Sequence, residues 1–100
     1  MRRIVLSPRA ARKLEKLLDY LQEEWSSKAK QAFIAKLDKS LELIKTYPKS
    51  NEESSFKKGL HRCVVTRQTT LYYKFSDTTI NIVGLFDTRM DPKKISSNLS

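Results

Sequence analysis

The sequence is short of the residues that usually announce chemistry. It has one cysteine, Cys63, and one histidine, His61. A lone cysteine excludes an internal disulfide and a multi-cysteine metal site, and it fits a reducing compartment. No apolar run is long enough to cross a membrane, and the opening MRRIVLSP lacks the hydrophobic stretch of a signal peptide. The expectation is a cytoplasmic protein with no membrane contact, and no residue pattern calls for a metal or a cofactor. There is no internal repeat and no low-complexity segment. Acidic residues are missing over one long interval. No Asp or Glu occurs between Glu53 and Asp77, while Lys57, Lys58, Arg62, Arg67 and Lys74 all fall inside it.

What remains is a chain of 100 residues with a net charge of +9. That length suits a single domain, 1–100, with a core of one sheet against one helical layer. A small basic domain is drawn to polyanions or to an acidic protein partner. The plainer alternative is a generally basic surface with no such target.

Arg2–Leu6 is a short strand-like run. Ser7-Pro8 then reads as a helix cap followed by a first-turn proline. Ala11, Leu14, Leu17, Leu18, Leu21 and Trp25 recur at three- and four-residue spacing, so the first helix is expected from Pro8 to Trp25, with Trp25 in the core. Ser26-Ser27 breaks the run, and a second helix from Lys28 to Tyr47 carries Phe33, Ile34, Leu37, Leu41 and Ile44. The short connection implies an antiparallel hairpin. Pro48 ends the second helix, and residues 48–55 read as a polar surface loop.

The period then changes from helix to strand. Leu60–Thr66, Thr70–Ser76 and Thr79–Asp87 are three strands joined by short turns, an antiparallel meander. Leu71, Tyr73 and Phe75 point one way, Tyr72 and Lys74 the other. The third strand is apolar at nearly every position and is expected to be central, covered on both faces. Gly84 within it suggests a bulge or the close approach of a bulky helix residue. Asp91-Pro92 suggests a further helix start, and the tail from Ser96 is expected to be mobile. The fold class is α+β: a two-layer sandwich with an N-terminal strand and a helical hairpin packed on an antiparallel sheet, in the order β-α-α-β-β-β. The place of the first strand in the sheet is left open.

Several stretches carry a family resemblance. They are the S-P-x-A opening of the first helix, the hairpin ending in Tyr47-Pro48, the strands LHRCVVT and TTLYYKF, and the closing I-x-I-V-x-L-F-D-T-R-x-D-P. In order and spacing the chain resembles the RelE/ParE superfamily, the toxins of type II toxin–antitoxin pairs, and in particular its ParE-like branch of plasmid stabilisation proteins. The resemblance implies a growth-inhibiting toxin held inactive by an acidic antitoxin, in a heterotetramer or larger complex. RelE-like members cut mRNA on the ribosome, whereas ParE-like members bind DNA gyrase. The resemblance puts the nuclease's basic residues on the strand matching His61 to Cys63, at the start of the strand matching Thr70, and near Arg89. This chain has His61, Cys63 and Thr70 at the first three and keeps only Arg89. That favours the gyrase-binding branch, with a third possibility that the fold survives as a non-toxic interaction module.

For the nuclease alternative the candidate catalytic set is His61, Arg62, Arg67 and Arg89, since RNA cleavage without a metal needs proton transfer and stabilisation of phosphorane charge. His61 has a suitable intrinsic pKa but no partner carboxylate nearby in sequence, so it also reads as a plain strand histidine. Arg89 could meet a phosphate or pair with Asp87 and Asp91. For binding to a partner or nucleic acid the candidates are Lys57, Lys58, Arg62, Arg67, Tyr72, Lys74 and Arg89. Their plainer readings are solvated loop and strand-edge charge and, for one of the two tyrosines, core. Cys63 reads as a small buried residue rather than a nucleophile.

Overall fold

A computed structural model describes residues 2–54 and 57–89. Strand β1 (Arg3–Leu6) leads into helix α1 (Pro8–Tyr20). The Ser7 hydroxyl accepts from the Ala10 N–H at 3.1 Å, and Pro8 fills the first turn, where a missing N–H costs nothing. Helix α2 (Ser27–Thr46) begins the same way, with Ser26 accepting from the Ala29 N–H at 3.0 Å. Pro48 cannot continue it, and Pro48–Ser50 form one 3-10 turn.

Between the helices lies one wide turn, Leu21–Trp25, closed by the Ser26 N–H on the Leu21 carbonyl at 2.9 Å. This five-residue hydrogen bond inserts a residue into the helical repeat. The insertion rotates Trp25 off the apolar stripe. Regular spacing puts Trp25 in the core; it is instead 58% exposed, with the Arg89 guanidinium 5.8 Å from its ring.

Strands β2 (His61–Val64), β3 (Thr69–Phe75) and β4 (Thr79–Asp87) form the expected antiparallel meander. The first strand takes the place the sequence left open: β1 joins the far edge, parallel to β4, in the order β1-β4-β3-β2. Opposite β3, Tyr72 faces Gly84 and Tyr73 faces Ile82, so Val83 is the extra residue of a bulge. The side chain lying against Gly84 is Tyr72 of the neighbouring strand, not a helix residue. The Asp91-Pro92 helix start and the tail from Ser96 lie outside the described residues.

The helical hairpin covers one face of this sheet. Leu17, Leu21, Phe33, Leu37 and Ile44 meet Leu71, Tyr73, Ile80, Ile82 and Leu85 in a single core. Each such side chain contributes roughly 1.5–3 kcal/mol on burial. Tyr73 is fully buried, and its polar end is satisfied: its hydroxyl donates to the Pro48 carbonyl at 2.7 Å and accepts from Asn51 Nδ2 at 3.2 Å. Strand β4 is central, but it is covered on one face only. Asn81, Val83 and Phe86 on the other face are half-buried, because two helices span a single layer. Among the described residues no helix is long and apolar enough to cross a membrane.

The wide turn and the core predict unequal costs for two apolar truncations. Leu17→Ala removes a fully buried side chain and is expected to lower the unfolding free energy by about 2–5 kcal/mol. Trp25→Ala is expected to cost less than about 1 kcal/mol, the scale of an exposed cation–π contact. Urea unfolding followed by circular dichroism separates the two. Equal losses would mean that Trp25 is packed in solution.

Candidate functional site

Strand alternation makes the face away from the helices a fixed set of side chains. Pairing across the sheet sets them in rows. Val64, Thr70 and Phe86 form one row; Arg62, Tyr72 and Gly84 the next; Lys74, Asn81 and Val5 the third; and Arg3 stands beside Thr79 beyond them. Three cations and no carboxylate therefore lie on these strand positions. The first row is apolar at both ends, and Val64 is 61% exposed. The other rows are basic at β2, at β3 and at the β1 edge. Lys57, in the loop before β2, stands close enough to Lys74 that its charge depresses the Lys74 pKa. Two ammonium groups brought together in this way favour an anion between or beside them.

The candidate catalytic residues are not brought together. His61 and Arg62 are neighbours in sequence and point to opposite faces. Arg62 is exposed on the open face beside Tyr72, whereas His61 stacks on the helix-side aromatics, 5.4 Å from the Tyr73 ring and 5.2 Å from that of Phe75. The His61 Nδ1 lies 2.9 Å from the Asn51 carbonyl, which makes Nδ1 the protonated nitrogen. His61 is thus neither an exposed strand histidine nor a partner for the arginines. Cys63 is buried beneath α2. Burial pushes its thiol above the usual range, and a hydrogen bond with Ser40 only partly offsets this, so it is a protonated packing residue.

Arg67 and Arg89 belong to the other end of the sheet. Arg67 is exposed in the β2–β3 connection, and the adjacent Gln68 carbonyl accepts from the Thr88 N–H at 3.0 Å. His61 pairs with Tyr73, and Asp87 pairs with Thr69. Those positions are four residue steps apart along β3, roughly 13 Å at about 3.3 Å per residue. That is too far for one scissile phosphate. Lys57 and Lys58 are exposed loop residues at the His61 end.

Arg89 is held by Asp87. Its Nε lies 3.1 Å from Oδ1, its Nη2 lies 2.9 Å from Oδ2, and its backbone N–H donates to Oδ1 at 2.8 Å. The Thr69 hydroxyl donates to the same carboxylate. Burial alone would raise the Asp87 pKa, but the bonds from Arg89 and Thr69 together outweigh it and hold the carboxyl below its ordinary value. The arrangement fastens the end of β4 to the start of β3. Of the two readings open for Arg89, pairing with Asp87 is the one realised. Asp91 lies outside the described residues.

Val5, Val64, Val83 and Phe86 belong to the open face and are absent from the candidate residues drawn from the sequence. Val64 could have been found by stepping two residues from Arg62. Phe86 and Val83 could not, because an apolar strand reads as buried on both sides and the bulge at Val83 resets the alternation.

This fold belongs to a known class. The model of the family described as "ParE toxin of type II toxin-antitoxin system, parDE" matches residues 4–92, and the chain belongs to that family, within the RelE/ParE superfamily of type II toxins. Solved structures of the same fold include a chain of the E. coli DinJ–YafQ toxin–antitoxin complex. It is 15% identical, with a TM-score of 0.61 over 88% of this chain and 93% of that one. Another is the YoeB dimer from Staphylococcus aureus, 17% identical, with a TM-score of 0.60 over 85% and 94%. At such identities the likeness speaks for the fold alone. No curated protein sequence matches the chain.

The Asp87 contacts predict a stability that depends on pH. A carboxyl with a depressed folded pKa contributes stability that is present above its unfolded value, near 3.8, and is lost as pH falls through the folded pKa. Asp87→Asn is expected to lower stability at pH 7 by about 2–4 kcal/mol, since it leaves Arg89 without its counter-charge. The wild-type and Asp87→Asn stabilities should converge as pH drops below about 4. Urea unfolding between pH 2.5 and 7 checks this, and parallel curves would show that Asp87 is not the linked group.

Proposed function

We propose that the protein is a growth-inhibiting, cytoplasmic toxin that acts by binding, that its target is DNA gyrase, and that an acidic antitoxin neutralises it by covering the open sheet face. The observation that carries this reading is the composition of that face. An apolar row, Val64, Thr70 and Phe86, adjoins Arg62, Tyr72, Lys74 and Arg3, with no carboxylate on these strand positions. Such a surface suits an acidic protein partner with apolar anchors. The DinJ–YafQ and YoeB–YefM complexes, of the same fold, pair one protein with another and support a protein partner here. The separation of His61, Arg62, Arg67 and Arg89 supports binding over chemistry. A heterotetramer or larger assembly with the antitoxin follows from the same reading.

One observation favours the nuclease alternative. Arg62 stands beside Tyr72, Lys74 lies on the same face and Lys57 is near Lys74, a set of cations with a stacking ring that single-stranded RNA could use. Catalysis there would have to proceed without His61 and Arg89.

Induced expression in a bacterial host, with DNA and protein synthesis followed separately, tests the reading. Early loss of DNA synthesis with inhibited gyrase supercoiling is expected. Arg62→Glu and Val64→Asp, both at exposed positions, are expected to relieve growth arrest and to weaken gyrase binding at least tenfold while the fold is retained. Early loss of protein synthesis with cut mRNA would instead establish the ribonuclease. Absence of arrest in either channel would leave a non-toxic interaction module.

A further inference from the structure

We propose that a second docking site lies at the C-terminal end of α2, where an apolar groove takes an apolar side chain, and Arg2 at its edge the adjacent carboxylate, from an acidic segment of a partner protein. The groove has a volume of about 430 Å³ and is lined by Arg2, Thr46, Tyr47, Pro48, Lys49 and Ser50. It opens on the helix side of the sheet, at the end near the β3–β4 turn, and shares no residue with the open face. This inference is independent of which target that face binds.

Two features select the occupant. The first is Arg2. Its Nε donates to the Ser76 carbonyl at 2.8 Å and its Nη1 to the Lys45 carbonyl at 3.3 Å, while the guanidinium lies 5.8 Å from the centre of the Phe75 ring. The group is fixed on three sides before any ligand arrives. Those two bonds use two of its five donors. Among the described residues nothing bonds the other three, and no carboxylate pairs with Arg2. A fixed guanidinium with N–H groups that nothing among the described residues engages suits a carboxylate, and little ordering remains to be done on binding.

The second feature is the apolar wall. Tyr47, which lines the groove, is 62% exposed. Buried Pro48 lines the groove beside it. An exposed aromatic ring next to a cation matches an apolar side chain beside an acidic one. Exposed Lys49 adds positive charge at the rim. Charge also decides against a second copy of this chain, since each carries +9.

The test uses the full chain, labelled with nitrogen-15 and titrated with acetyl-Glu-Leu-Glu-amide and, separately, with acetyl-Gln-Leu-Gln-amide. Saturable amide shifts centred on Thr46, Tyr47, Lys49 and Ser50 are expected with the first peptide, and affinity at least tenfold weaker with the second. Arg2→Gln and Tyr47→Ser are each expected to weaken binding at least fivefold. Tyr47→Ser keeps the test sound if Arg2→Gln loosens the β3–β4 turn. Arg62→Gln and Val64→Ser, on the open face, should leave binding unchanged. Shifts centred on the open face, equal affinity for the two peptides, indifference to Tyr47→Ser or no saturable shift would each overturn the proposal.

Discussion

Two helices cover one face of a four-stranded sheet, and every other property of the molecule follows from that one-sided burial. Because strand side chains alternate, burying Leu71, Tyr73, Ile80 and Ile82 beneath the hairpin obliges Arg62, Tyr72, Lys74 and Asn81 to face away from it. A shift of one residue in pairing would put Lys74 and Asn81 into the core, at a cost no local contact could offset. The open face is therefore as firmly specified as the core. Its basic character is a consequence of register as much as of composition.

Polar contacts at the two ends of the sheet hold that register. At one end Tyr73 joins the exit of α2 to the sheet through Pro48 and Asn51, and Asn51 in turn holds the His61 ring. At the other end Asp87 gathers Thr69 and Arg89, and Arg89 reaches Trp25 on the hairpin turn. Both are buried groups whose hydrogen-bonding capacity is met by segments distant in sequence. Such contacts contribute modest net stability but exclude alternative pairings. They also employ two residues, His61 and Arg89, whose types would suit catalysis. In this fold both are engaged in intramolecular contacts, whereas Val64, Arg62 and Tyr47 are exposed.

A toxin that acts by binding needs surface rather than a constellation of reacting groups. The dispersal of His61, Arg62, Arg67 and Arg89 accords with the binding mode proposed above. The open face and the α2 groove lie on opposite layers, so one partner chain could engage both only by passing around an end of the sheet. Two separate patches on a domain of this size would raise affinity by linkage without either being strong alone.

The chain's pattern by itself determined the order of elements, the capping at Ser7, the break at Ser26-Ser27, the stop at Pro48, the limits of β4 and the opposite directions of Tyr72 and Tyr73, because each depends on neighbours a few residues apart. It also determined that positive charge would gather around β2 and β3. Three things were decided only by tertiary structure. The parallel pairing of β1 with β4 joins segments more than seventy residues apart, and no local period encodes it. The wide turn at Leu21–Trp25 reverses the direction of Trp25, since a single inserted residue in a helical turn leaves no mark on the spacing of the apolar stripe. The opposition of His61 to Arg62, and the distance of both from Arg89, emerge only when strands are paired. Residues close together in sequence on a strand face opposite ways, and those at the two ends of a sheet stay apart however alike their chemistry.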